Sequence, residues 1–585
     1  TQYTYLGALT SKNQALTKID LTNSSFNTAA KPKTGATTDI EYQNLMYWYM
    51  GYVVPNLTDS MSPTATSLTR NRMGAGLHSK PVLVNYGYTG TGSAAANPDN
   101  QYNYLFFSTL EGTLHAIEAK TGKEKFSFIP GEKLNSLRTL YDNDTAALPQ
   151  MGMDLSWTVY RKDANFDNQI GSGDKVYIYG GMRMGGKNYY ALDVTDLNAP
   201  KLLFAINGGS TTNSNRFLRM GQTWSQPALG NIKIGSTVKT VLVFGGGYDP
   251  RHETTGKIYT DNDLGNQLYI VDAVDGTLYW SASGTSADNP YKSVPEMKYS
   301  VPTAPKLVDF NGDGLTDTIY FGDLGGQLFR VDLNNGQAAA DIAKRVRLIA
   351  KFGQTVTADT ANQRRFYEPA TAALFEDVDN INNGRLFAAV AFGSGYRSHP
   401  LDTSTTDHFY SILDFDVTRA DLLTIDENAS SLRAPLTLSD LSKLSLTSTA
   451  GADKTKQGFY IQLPDGGEKS MASGLIINNE LIFTTYVPTM VAGDSCSPVI
   501  GRTKLYRQCM PYGGIGDTCS WEGDRVQDNV MMGIGGEPQY LFQSTTSASG
   551  TTTIEGGLVV GSSVIGDGEY ERKVKRLHRF REKRN

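Results

Sequence analysis

The sequence predicts an all-β chain built as a β-propeller of about seven blades, with a short N-terminal helix and one EF-hand-like calcium loop. Three observations carry this. Short apolar strands alternate with Gly/Asp/Asn turns from Leu77 onward. A phrase of strand, x-G-G or D-G, strand, then a D-x-x-x-G turn recurs along the chain. An acidic, glycine-punctuated loop, V-D-F-N-G-D-G-L-T-D (308–317), lies inside one of these repeats.

Composition sets the bounds. A single core of 585 residues would usually split, but a repeating β-architecture can hold that length together. Gly 60 and Tyr 32 against 19% charged residues suit many strands and tight turns. The net charge of −5 gives no support to general nucleic-acid binding. No stretch approaches the ~18 consecutive apolar residues of a membrane-spanning helix. The chain opens on a polar T-Q-Y-T-Y-L-G without a basic-then-apolar leader, so it reads as a mature or excised piece.

Taken in order, residues 1–38 are rich in Thr, Ser, Asn and Lys without clear periodicity, and they read as a tail, a linker, or the end of a domain lying upstream. Residues 39–53 carry apolar residues at helical spacing with Gly51 as a stop, which predicts a short helix. The segment 1–75 is expected to pack on, or be linked to, a propeller spanning 76–570. The blade phrase begins at Tyr104, Lys175, Val241, Pro305, Leu386 and Gly474, with a weaker seventh at Gly556. Each is a small sheet that cannot bury its faces alone, and radial stacking buries both. A pair of β-sandwiches explains the strands but not the repeated phrase.

The acidic loop offers side-chain oxygens at positions one, three, five and nine: Asp309, Asn311, Asp313 and Asp317. The carbonyl of Leu315 falls at position seven, where EF-hand loops use the backbone. Ca²⁺ is a hard cation that takes six to eight oxygens, and a loop supplies them only by curling tightly at glycine. Tyr320 occupies position twelve instead of glutamate, so the loop belongs between strands and not between helices. The plainer alternative is an Asx/Gly turn. A possible second site follows the same count: Asp163, Asn165, Asp167, the carbonyl of Gln169, and Asp174 at positions one, three, five, seven and twelve. Its alternative is a polar hairpin turn. A third acidic run, 376–384, has poorer spacing.

Cys496, Cys509 and Cys519 lack the CxxC spacing of a metal site. The Gly-rich loop between Cys509 and Cys519 can bend its ends together, so that pair is favoured over Cys496–Cys509 as the disulfide, with one thiol left free. The six histidines form no HxH or HExxH pair, and neither a G-x-S-x-G elbow nor a Walker loop occurs. His115 and His399 fall inside blade phrases and read as structural. The basic end, 571–585, reads as a solvated tail after a last strand, or as an electrostatic contact for acidic pilins, DNA or anionic lipid.

An ordered set of phrases resembles the C-terminal domain of the PilY/PilC/ComC family, the tip-associated adhesins of type IV pili. They include G-L-H-S-K-P-V-L-V (76–84), E-G-T-L-H-A-I-E-A-K-T-G-K-E (111–124), Y-A-L-D-V-T-D-L-N-A-P-K-L-L (190–203) and T-W-S-Q-P (223–227). V-F-G-G-G-Y-D (243–249), the acidic loop with its following strands (308–333), A-F-G-S-G-Y-R-S-H-P-L (391–401) and S-G-L-I-I-N-N-E-L-I-F-T-T-Y (473–486) complete the set. The resemblance implies a modified quinoprotein-like propeller and Ca²⁺ held by Asp309, Asn311, Asp313, Leu315 and Asp317. It also implies a non-enzymatic role in pilus biogenesis, extension and retraction, twitching motility and surface adhesion. The expected partners are minor pilins at the pilus tip and an unidentified surface receptor. The expected location is exported, at the pilus tip, cell surface or outer membrane. Two other classes stand beside it: a carbohydrate-binding propeller adhesin independent of pili, and a quinone-dependent dehydrogenase. The second wants a vicinal cysteine pair, which the chain lacks.

Overall fold

In a computed structural model, the strands assemble into seven sheets, each formed mainly from consecutive antiparallel strands. The structure describes residues 1–64, 66–69, 73–91, 97–143, 151–211, 215–254, 263–353, 360–426, 429–488, 500–516, 518–519, 521–546, 552–561 and 563–569. Cys496 and the basic segment 571–585 lie outside them. The chain divides into two compact units, Thr1–Ala358 with Ala420–Pro435, and Asp359–Arg419 with Leu436–Asn585.

The first unit holds four sheets. The first is the meander Val82–Tyr88, Gln101–Ser108, Leu114–Glu118, Glu124–Pro130. The second runs Thr158–Lys162, Lys175–Gly181, Tyr189–Asp193, Lys201–Ile206. The third runs Ala228–Ile234, Thr237–Gly245, Gln267–Asp272, Leu278–Ser283, with Lys292–Ser293 at its edge. The fourth is Lys306–Val308, Thr318–Gly322, Gln327–Leu333, Ala343–Lys351. Period-two alternation makes each sheet apolar on both faces. Val241 and Val243 of the third sheet pack with Ile319, Phe321 and Phe329 of the fourth. Their neighbours Leu242 and Phe244 pack the other way, with Tyr177, Tyr179 and Tyr189 of the second. Sheets buried on both faces by their sequence neighbours are the blades of a propeller.

The second unit repeats the pattern with three sheets. The fifth is Thr371–Phe375, Phe387–Gly393, His408–Asp414, Gly458–Gln462, with Ser442–Lys443 at its edge. The sixth contains Glu480–Val487, Arg502–Cys509 and Val526–Met532, with Lys469–Ser470 and Leu475–Ile477 both paired to Glu480–Val487. The seventh is Gln539–Thr546, Thr552–Val560, Ser563–Glu569. Phe409 of the fifth stacks on Phe483 of the sixth, and Leu505 of the sixth packs with Leu558 and Val560 of the seventh. All seven predicted blade phrases thus fall in separate sheets.

Residues 1–38, expected as a tail, are built into the first two sheets. Gln2–Tyr5 pairs in parallel with Glu124–Pro130, Thr17–Lys18 pairs with Gln2–Tyr5, and Gln14–Ala15 pairs with Lys201–Ile206. Strands of two to four residues join an edge through backbone hydrogen bonds and leave almost no side-chain periodicity to read. Helix α1 (Ser24–Thr34) follows, capped by the Asn23 side chain accepting from the Phe26 N–H, with Gly35 left-handed at φ 69°. Helix α2 (Asp39–Tyr49) is the predicted one, capped by Thr38 and followed by Gly51 at φ 100°. Phe26, Ala30, Tyr42 and Met46 of these helices pack against Ile129, Leu134 and Leu137 beside the first sheet. No helix among the described residues is long and apolar enough to cross a membrane.

Candidate metal centre

The loop 309–317 joins the first two strands of the fourth sheet, Lys306–Val308 and Thr318–Gly322. Two glycines at positive φ, Gly312 at 77° and Gly314 at 84°, curl it into a cup. The side chains then hold the curl by accepting main-chain N–H bonds. Asp309 Oδ1 accepts from Gly312 at 2.7 Å and Oδ2 from Gly314 at 2.8 Å. Asn311 Oδ1 accepts from Asp313 N–H and Asp313 Oδ1 from Leu315 N–H, both at 2.8 Å. Asp317 closes the loop by accepting from Phe310 N–H at 2.8 Å. The third sheet steadies the base, because Thr316 N–H donates to Asn231 O at 2.7 Å and Asn231 Nδ2 to Gly314 O. The anchoring role of Asn231 has no signal in the sequence, since it depends on which strand the next blade places beside the loop.

All five predicted residues therefore belong to one loop, with Asp309, Asn311 and Asp313 exposed and Asp317 half-buried. Burial, and then the Asp313 and Asp309 carboxylates, raise Asp317 above the usual carboxylate range. A divalent cation would relieve that repulsion. The donors are all oxygens: three carboxylates, an amide and a main-chain carbonyl. A carboxylate oxygen that accepts one N–H keeps a lone pair for a cation, so this set fits a hard ion of the Ca²⁺ class. Among the described residues, no three His, Cys, Asp or Glu side chains gather into a ready-made metal centre. Any site here depends on the amide and carbonyl as much as on the carboxylates.

The segment 163–174 occupies the equivalent corner of the second sheet, between Thr158–Lys162 and Lys175–Gly181. All five of its predicted residues, Asp163, Asn165, Asp167, Gln169 and Asp174, lie on that one loop. Phe166 at φ 60° and Asn168 at φ 59° stand where the first loop has its glycines. Two N–H bonds, from Ala164 and Gly171, hold Asp174 below the usual carboxylate range. The third run, 376–384, is closed differently. Asp377 takes N–H bonds from Ile381, Asn382 and Gly384, and Asp379 pairs with Lys454 at 2.8 Å, so it is a turn closed on Asp377 with one of its carboxylates ion-paired.

Cys509 and Cys519 form the disulfide. His115 meets Glu124 at 2.6 Å and stacks on Phe107, a structural arrangement within the first sheet.

Residues 83–358 match the family model described as the PilY1 beta-propeller domain. The chain is 31% identical over 245 residues to the type IV pilus biogenesis factor PilY1 of Pseudomonas aeruginosa. That alignment covers 41% of this chain and 18% of the relative. A PilY1 homolog of Xylella fastidiosa is 25% identical over 416 residues, covering 66% of this chain and 24% of the relative. The chain thus spans about a quarter or less of the length of these relatives. The crystal structure of the P. aeruginosa PilY1 C-terminal domain superposes with a TM-score of 0.52 at 17% identity, covering 83% of this chain and 99% of that one. That likeness establishes the fold.

Proposed function

We infer from a chain that carries the PilY1 β-propeller domain that it serves as the propeller portion of a type IV pilus biogenesis factor. In this reading the protein is exported and acts at the pilus or cell surface, with minor pilins as partners and surface adhesion as one outcome. It is a binding and assembly protein, in keeping with relatives that are type IV pilus biogenesis factors.

The observation that carries the regulatory part of this reading is the oxygen-lined loop 309–317 inside the matched domain. Asp309, Asn311, Asp313, the Leu315 carbonyl and Asp317 would hold Ca²⁺ there. The ion supplies positive charge to a cup whose carboxylates otherwise repel one another. The protein's own part is positional. Glycine curvature and five N–H bonds keep the donors on one short loop between two strands. No helix flanks the loop, so the response is local ordering and not the wide opening of a sensor EF-hand. Ordering at this blade corner would bias the factor between pilus-extending and pilus-retracting behaviour.

The test is made in the organism that encodes the protein, with Asp309→Ala and Asp317→Ala placed in the full-length gene. Surface pili and twitching are scored with Ca²⁺ and with chelator. The expected result is Ca²⁺-dependent twitching in the parent and Ca²⁺-independent twitching in the variants, at equal protein levels. Normal piliation and motility after deletion of the whole gene would refute the pilus assignment itself.

A further inference from the structure

We propose that the loop 163–174 of the second blade is a separate Ca²⁺ site, independent of the one at 309–317. Two observations of different kinds support it.

The first is an unpartnered buried oxygen. The Asp163 side chain is 9% exposed, and its Oδ1 has no hydrogen-bond partner. Its other oxygen, Oδ2, accepts from Asn168 N–H at 2.8 Å across the loop, which directs the carboxylate into the cup. Arg161 Nη1 lies 3.5 Å from that same Oδ2. A buried carboxylate oxygen without a donor is the kind of group a bound cation satisfies. At the corresponding residue of the fourth blade, Asp309, the second oxygen is taken by Gly312 N–H. The second-blade loop therefore offers the freer ligand at position one.

The second is a shared scaffold. Gly314→Asp309 and Asn168→Asp163 are the same N–H bond from position six to position one, each 2.8 Å. Asp313→Asn311 matches Asp167→Asn165, at 2.8 and 3.3 Å. Leu315→Asp313 matches Gln169→Asp167, both 2.8 Å. Phe310→Asp317 matches Ala164→Asp174, both 2.8 Å. Asp317 and Asp174 each stand immediately before the second strand of their blade. The donor set is Asp163, Asn165, Asp167, the Gln169 carbonyl and Asp174, oxygen throughout. Main-chain and amide donors on an irregular loop favour Ca²⁺ over Mg²⁺, which demands near-ideal octahedral geometry. The loop also touches the first blade, where Ile170 N–H donates to Tyr86 O and Gln169 Nε2 to Tyr88 O. Cation binding would thus fasten the seam between the first two blades.

Calorimetric titration of the intact chain with Ca²⁺ tests this. The wild type is expected to bind two equivalents, and Asp309→Ala/Asp317→Ala to retain one. Adding Asp163→Asn, which keeps an acceptor for Asn168 N–H, should weaken that remaining site at least tenfold, and Asp167→Asn should do the same. Hydrogen exchange gives a local readout, with amides 164–171 slowed by Ca²⁺ in the wild type and unaffected in Asp163→Asn. A folded Asp309→Ala/Asp317→Ala chain that binds no Ca²⁺ overturns the proposal, as does Asp163→Asn added to it with undiminished Ca²⁺ affinity at the remaining site. A wild type that binds one ion, lost with Asp163→Asn but kept in Asp309→Ala, supports this site and refutes only the one in the fourth blade.

Discussion

Asp309→Ala separates a cation site from a turn, because the two readings differ in size and in dependence on Ca²⁺. The substitution removes the acceptor for Gly312 and Gly314 N–H. Both donors face solvent, so water replaces the lost bonds. The cation-independent penalty then sits near the low end of about 0.5–1.5 kcal/mol per bond. Ca²⁺ at a hundredfold excess over Kd stabilises a folded site by roughly 2.7 kcal/mol. The compact unit that carries the loop comprises Thr1–Ala358 and Ala420–Pro435. With an unfolding entropy of roughly 2.1 cal/mol/K per residue, that energy raises its melting temperature by about 3–4 °C. Differential scanning calorimetry in chelator and in Ca²⁺ measures both terms. To isolate this loop, the comparison is made in an Asp163→Asn background. The parent should gain the full rise, and Asp309→Ala should lose it while melting slightly lower in chelator. An equal Ca²⁺-dependent rise in both would refute the assignment and leave the loop a turn.

Three further outcomes are expected. His408 is buried against Arg364, and burial, Arg364 and Lys443 push it down to about 3. It stays neutral when folded and protonates when unfolded, so its contribution is intact above about pH 6.5 and is lost as pH falls toward 3; urea midpoints should show about 2 kcal/mol lost by pH 5, and His408→Gln should flatten that limb. Replacing Cys509 and Cys519 with serine opens a loop of 10-residue separation and should cost roughly 2–3 kcal/mol by denaturant titration, whereas Cys496→Ser should leave the disulfide intact in a non-reduced digest. Gly185→Ala would place a Cβ 1.7 Å from the Gly152 carbonyl oxygen, backbone against backbone, and should destabilise by about 1–3 kcal/mol in the same assay.

The blades were legible because each carries its own turn chemistry and two apolar faces. Val241-Leu242-Val243-Phe244 reads as a strand buried on both sides, and the structure sends alternate residues into two different cores. The N-terminal segment was not legible. Gln2–Tyr5 is held by parallel pairing to a strand more than a hundred residues away, and four residues carry no period that announces such a partner. The helix at Asp39–Tyr49 was legible because its apolar residues recur at helical spacing and Gly51 stops it. The disulfide was legible because a glycine-rich loop between two cysteines can close on itself.

The second loop shows where counting positions misleads. By count, Asp174 falls at position twelve and Asp317 at position nine, so the two loops look like different variants of one motif. By hydrogen bonding they are the same residue: each accepts the N–H of position two and sits directly before the second strand. The three extra residues of the second loop, around Gly171–Gly173, lie between the donors and the closing aspartate. Asp174 Oδ2 gathers that excursion back by accepting from Gly171 N–H at 2.8 Å. What fixes the cup is the distance from position one to position six and the closing bond to position two, and both are conserved in geometry between the loops. Asn168 reaches the left-handed conformation that position six requires at modest cost, whereas Phe166 at φ 60° is strained. Replacing Phe166 by glycine should therefore relieve the strain and leave the donor set untouched. The expected outcome is a more stable chain in chelator that still binds Ca²⁺ at this loop, because the carboxylate, amide and carbonyl ligands are unchanged, read by calorimetry and titration of the same variant. A Phe166→Gly chain no more stable in chelator would contradict the strain at position four, and one that loses Ca²⁺ binding would contradict this donor set.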